Sequence, residues 1–182
     1  MKKALLNVDY TNDFVANDGA LTCGEPGQKI EKEIVRITEE FISNGDFVVF
    51  AIDLHKEGDE LHPETLIFPP HNIEDTSGRL LYGDLQRVFN EQQTNANVYW
   101  MDKTRYSAFA GTDLDIKLRE RGITEVHIVG VCTDICVLHT AVDAYNRGFK
   151  IVIHSSAVAS FNQAGHEWAL GHFKDSIGAE VR

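Results

Sequence analysis

The feature that most constrains this chain is an alternation of short apolar runs with stretches of helical hydrophobic spacing. "ALLNVDY" (4–10), "DFVVFAIDLH" (46–55), "NVYWMDK" (97–103), "EVHIVGV" (125–131) and "FKIVIHS" (149–155) have the length and β-branched content of strands buried on both faces. Between them, 26–45 carries Ile30, Ile34, Ile37 and Phe41 at three-to-four spacing and stops at Gly45. Segments 112–122, 133–148 and 163–178 read as helices on the same grounds, and "AEV" (179–181) adds a short sixth strand. Strands of this kind joined by helices predict one α/β domain over 1–182. It is a three-layer α/β/α architecture on a mostly parallel, doubly wound sheet. One connection breaks the rhythm. About forty residues separate the second and third strands, and a connection that long is functional or locally folded.

Charge and cysteine content narrow the function. The formal net charge is −11, from 17 basic and 28 acidic residues, and no basic face is clustered, which argues against nucleic acid. No run of about 18 apolar residues is present, so no membrane partner is expected. The apolar run after "MKK" is too short for an export signal, and three cysteines are few and odd in number. A cytoplasmic protein with reduced thiols and a small-molecule ligand is the expectation.

In an open parallel sheet, ligands sit beyond the carboxyl ends of the strands. There the sequence places Asp9 after the first strand and Asp53 with His55 after the second. Asp102 with Lys103 follow the third, and "CTDIC" (132–136) the fourth. A helix beginning at Thr133 or Asp134 puts Cys136 in its first turn, where free N–H groups and the dipole favour an anion. Thiols so placed can have pKa values lowered from about 8.5 to roughly 3.5–7.5. Cys136 as a small buried hydrophobe is the competing reading. A Cys132–Cys136 disulfide conflicts with a reducing compartment, and a redox pair has tighter spacing. A zinc site of Cys132, Cys136 and His139 lacks a fourth ligand. Asp9 suits a general base if burial raises its proton affinity, with Lys103 balancing charge; a turn-capping Asp9 and a surface Lys103 remain alternatives. Asp53, His55 and the His71 that follows "FPP" offer oxygen and imidazole ligands suited to zinc, iron or manganese, with Glu64 and His62 in the same loop.

Taken together, "NVDYTNDF" (7–14), "AIDLH" (51–55), "HPET" with "FPPH" (62–71), "WMDKTRYSAFAGTDL" (100–114) and "GVCTDICVLHTAVDA" (130–144) resemble the nicotinamidases and pyrazinamidases of the isochorismatase-like cysteine hydrolase superfamily. The resemblance runs over essentially the whole chain. It implies catalytic Asp9, Lys103 and Cys136, and one divalent metal, zinc before iron or manganese, on Asp53, His55 and His71. Glu64 matches a further ligand found in some members. It also implies a metal-binding insertion at about 54–90 and an oxyanion hole of the Cys132 and Cys136 backbone N–H groups after a cis Val131–Cys132 bond. Phe14, Phe68 and Tyr106 would clamp the substrate ring. The expected reaction is hydrolysis of nicotinamide, and of pyrazinamide, through a cysteine thioester in NAD salvage. The ring nitrogen would meet the metal. A homo-oligomer is left open. The rivals are a carbamoyl or ureido amidohydrolase of the same superfamily, whose members generally lack the metal trio, and a vinyl-ether hydrolase, which lacks the nucleophilic cysteine. A non-catalytic metal or thiol sensor on the same scaffold is the third.

Overall fold

A computed structural model describes residues 2–182. Six strands form one parallel sheet: β1 Lys3–Val8, β2 Phe47–Asp53, β3 Val98–Lys103, β4 Glu125–Val131, β5 Lys150–Ala159 and β6 Glu180–Val181. Their spatial order is β3-β2-β1-β4-β5-β6, so the winding reverses between β1 and β4. Seven helices connect them: α1 Asn12–Val15, α2 Glu25–Lys29, α3 Glu31–Ser43, α4 Asp84–Gln92, α5 Leu114–Glu120, α6 Leu138–Asn146 and α7 Gln163–Asp175. Among the described residues, no helix is long and apolar enough to cross a membrane.

The central strands are apolar throughout because both faces are covered. Leu6 and Val8 of β1, Val49 of β2 and Ile128 of β4 pack with Leu114, Leu118, Ala141 and Phe173 of α5, α6 and α7. The alternate residues Leu5, Val48, Phe50 and Val129 pack with Ile34, Ile37, Phe41 and Leu85 of α3 and α4. Each fully buried side chain of this size contributes about 1.5–3 kcal/mol. The three-layer α/β/α architecture expected from the pattern is the one found.

Boundaries differ where local chemistry intervenes. The helix expected over 26–45 is two, α2 and α3, meeting at Ile30. Helix α4 was not expected, yet Leu85, Val88 and Phe89 have helical spacing behind Gly83. Strand β5 runs four residues past its expected end at Ser155, because a bulge opposite Ile128–Gly130 realigns it with β4. The connection between β2 and β3 is locally folded, with α4 and single turns at Pro63–Leu66 and Ser77–Arg79.

Candidate active site

Four strand ends converge at the winding reversal. Val8 lies opposite Ala51 on β2 and Gly130 on β4, and Asp53 opposite Lys103. Asp9 follows β1 with a left-handed φ of 53°, which bends the chain off the sheet. Its Oδ1 accepts a hydrogen bond from the Asp53 N–H at 2.8 Å. Lys103 is 1% exposed. Its ammonium lies 2.7 Å from Asp9 Oδ2, 2.5 Å from Asp53 Oδ1 and 3.7 Å from Cys136 Sγ, and donates to the Arg105 carbonyl at 3.2 Å. The alternatives of a surface lysine and a merely capping aspartate are thereby removed.

Cys136 sits in a π-helical turn, Thr133–Val137, rather than in an ordinary α-helical first turn. Cys132, not Thr133 or Asp134, caps it; the Cys132 carbonyl accepts from the N–H groups of Ile135 at 3.1 Å and Val137 at 3.2 Å. The Val131–Cys132 peptide is cis. Gly130 has φ 118°, and a Cβ there would lie 1.9 Å from the Val8 carbonyl oxygen. Only glycine lets β4 approach β1 so closely before the turn.

Burial and the neighbouring charges together decide the charge states. It pushes the Asp9 carboxyl up to about 7; the neighbouring Asp53 carboxylate adds to this and Lys103 opposes it. Burial acts on Asp53 in the same direction, but Lys103 and His55 outweigh it and hold Asp53 below its ordinary range. Lys103 is held charged by Asp53 and Asp9 against its own desolvation. The Cys136 thiol is raised well above its ordinary value by burial, which exceeds the help from Lys103. The lowered thiol pKa expected from a helix N-terminus is therefore not found: that expectation presumes solvent near the sulfur, and desolvation wins where there is none.

One carboxylate oxygen each from Asp53 and Glu64 and one imidazole nitrogen each from His55 and His71 lie within 4.8 Å of one another, all buried. Asp53 Oδ2, His55 Nε2 and His71 Nε2 have no hydrogen-bond partner. Buried polar atoms left unpaired are costly, and three converging ones fit a bound cation. The tautomer of His71 agrees, since its Nδ1–H donates to the Pro69 carbonyl at 2.7 Å and leaves Nε2 free. His62 does not join the set. Its Nε2–H donates to the Thr104 carbonyl at 2.7 Å and its Nδ1 accepts from the Glu64 N–H at 3.2 Å, so it holds Glu64 in place. His139 does not either, for its Nδ1 bonds the Ile135 carbonyl at 2.7 Å.

Phe14, Phe68 and Tyr106 line a narrow cleft with Glu64, Cys132 and Cys136, so the expected aromatic residues and the thiol face one space. Glu64 and Phe68 also line a second cavity with His55, His62 and His71, so three of the four donors face that cavity and Glu64 borders both. Four contributors escaped the sequence reading. Leu21, Ile135 and Phe161 complete the cleft wall. Phe161 was findable by the strand-end rule, had β5 been read to its true end at Ala159. Arg79 donates to the Asp53 carbonyl at 2.7 Å and pairs with Asp102, and nothing in its local pattern marks it.

Comparison with known proteins agrees with this geometry. The isochorismatase domain family matches residues 3–182. The isochorismatase family protein PncA of Bacillus subtilis (strain 168) is 67% identical over 181 residues, covering 100% of this chain and 99% of the relative. A crystal structure described as nicotinamidase/pyrazinamidase PncA from Bacillus subtilis superposes with a TM-score of 0.99 at 65% identity, covering 100% and 99% of the two chains. A pyrazinamidase/nicotinamidase from Streptococcus mutans UA159 gives 0.98 at 54%, covering both chains fully. A pyrazinamidase of Pyrococcus horikoshii in complex with zinc gives 0.86 at 29%, covering 100% and 99%. A family match over nearly the full length and a fold shared to this degree place the chain in the isochorismatase family.

Proposed function

We propose that this chain is a metal-dependent nicotinamidase, hydrolysing nicotinamide, and also pyrazinamide, to the ring acid and ammonia, with nicotinate returned to pyridine-nucleotide salvage. The observation that carries the reading is a buried thiol in an aromatic cleft, backed by an ammonium and a carboxylate, beside an Asp/His/His/Glu donor set in which three atoms are unpaired. The descriptions of the Bacillus and Streptococcus relatives support the substrate class.

Asp9 Oδ2 has the Lys103 charge beside it but no aligned hydrogen bond, so it is the oxygen free to take the Cys136 proton. Transfer from a raised thiol to a carboxyl at about 7 is uphill at rest. Lys103 lies 2.7 Å from Asp9 Oδ2 and 3.7 Å from Cys136 Sγ, so the negative charge stays beside its ammonium as it passes from the carboxylate to the sulfur. The thiolate then attacks the amide carbon, and the Cys132 and Cys136 N–H groups face the oxyanion. Protonated Asp9 passes its proton to the departing amine, and ammonia leaves a thioester on Cys136. Asp9 next takes a proton from water, which attacks the thioester and releases the acid and the thiol. Phe14, Phe68 and Tyr106 hold the ring so that the carboxamide faces Cys136. Asp53, His55, His71 and Glu64 would hold the divalent cation, zinc first, which supplies a Lewis-acidic anchor for a ring nitrogen.

Ammonia release from nicotinamide tests this. Cys136→Ala is expected to lose at least about 10³-fold in turnover, as removal of a covalent nucleophile does. Cys132→Ala keeps its backbone donor and is expected to stay within about tenfold, against the 10²–10³-fold typical of a lost oxyanion donor. Substantial turnover by Cys136→Ala would sink the nucleophile assignment.

A further inference from the structure

Cys23 takes no part in that chemistry, yet its sulfur lies 3.2 Å from that of Cys132, and both are buried. The two residues are 109 apart in sequence, so only the tertiary fold brings them together. We propose that Cys23 and Cys132 form a reversible disulfide under peroxide and that closing it lowers turnover at the neighbouring nucleophile.

Two observations connect the pair to the cleft. Cys132 lines it, so a small oxidant entering where the substrate binds comes up against that residue, whose sulfur touches Cys23. Cys132 also caps the turn that carries Cys136, through the bonds its carbonyl accepts from Ile135 and Val137. On the other side, the Cys23 N–H donates to the Phe14 carbonyl at 2.8 Å, and Phe14 is a wall of the same cleft. A bond between the sulfurs requires them to close to about 2.05 Å, drawing the nucleophile's turn and the Phe14 wall toward each other. A displacement of about 1 Å at a reacting group is enough to cost up to 10²-fold.

The step balances with hydrogen peroxide as oxidant. Cys132, as thiolate, attacks one peroxide oxygen, breaking the O–O bond and giving a sulfenic acid and water. The Cys23 sulfur then attacks the Cys132 sulfur and expels a second water, so two thiols and one peroxide give one disulfide and two waters. Dithiothreitol reverses it by thiol–disulfide exchange. Contact with Cys23 and burial both push the Cys132 thiol well up, so the reaction is faster at pH 8.5 than at neutrality. A transient bond of this kind is compatible with a compartment that keeps thiols reduced.

The experiment treats metal-loaded, fully reduced protein with stoichiometric peroxide at pH 8.5, then alkylates under denaturing conditions and maps the peptides by mass. The expected result is a linked peptide pair through Cys23 and Cys132 with Cys136 alkylated, and a fall in free thiols from three to one. Turnover should drop by about 10- to 10²-fold, as a misplacement of that size allows, and return with dithiothreitol. Cys23→Ser, with Cys23→Ala as a second version, keeps basal turnover and loses the recoverable part of the inhibition. Three free thiols after treatment, a link through Cys136, or sulfinic Cys132 without a linked pair would each overturn the disulfide. A linked pair with undiminished turnover overturns the coupling. The coupling rests on the proposed amide hydrolysis, whereas the linkage is read by mass alone, so failure of one is distinguishable from failure of the other.

Discussion

Asp9 stands between a like charge and an opposite one, and its burial tips the balance toward the neutral form. Its carboxyl is raised from 3.8 to about 7, chiefly by desolvation and secondarily by Asp53. A base must be ionised to act, so kcat/KM should fall as pH drops through the pKa of Asp9 in the free enzyme. A cation on Asp53, His55 and His71 adds positive charge nearby and moves that limb downward. The expected acid limb therefore lies well above 3.8 and no higher than about 7. A rate profile on nicotinamide checks this, and a limb near 4 would remove Asp9 as the perturbed base. At this scale the strand-end rule makes Asp9, Asp53, Lys103 and Cys136 legible, because a strand's end is a local property. Their protonation states were not legible. Desolvation depends on every element that covers the group, and it reversed the direction expected for Cys136.

At the scale of elements, the turn that carries Cys136 depends on how closely β4 lies against β1. Gly130 fills that contact, with φ 118° and with the Val8 carbonyl oxygen only 1.9 Å from where a Cβ would be. Gly130→Ala combines a forbidden backbone conformation with a clash against backbone that cannot swing away. A loss on the order of 3 kcal/mol is expected. For a chain of this size that corresponds to about 6–12 °C in Tm by calorimetry. A shift under a degree would show that β1 and β4 separate freely. Alternation and helical spacing located the five longer strands and the main helices in sequence. They did not reveal the α2–α3 break, the bulge that extends β5 or the π turn, since each is fixed by packing between elements rather than by periodicity along one.

At the scale of the whole molecule, the donor set joins β2 to the loop before α4, about twenty residues apart in sequence but packed side by side. Three unpaired buried atoms there lower stability, and a bound cation would relieve that cost. Zinc added to chelator-stripped protein at about 100 times its dissociation constant should stabilise by about 2.7 kcal/mol. For a chain this long that is about 5–11 °C in Tm. His71→Ala should abolish the shift, and chelation should stop turnover. An unchanged Tm with zinc would mean that these residues hold no metal. The sequence by itself determined the layered α/β architecture and which residues reach the rim, because hydrophobic period and strand ends are written locally. Only the tertiary structure decided that Lys103 lies between two carboxylates, that Cys136 rests as a thiol, that His62 serves Glu64 rather than the metal set, and that Cys23 touches Cys132. Each of those depends on which segments the fold brings within a few ångströms and how much water it excludes, and neither quantity has a signature along the chain.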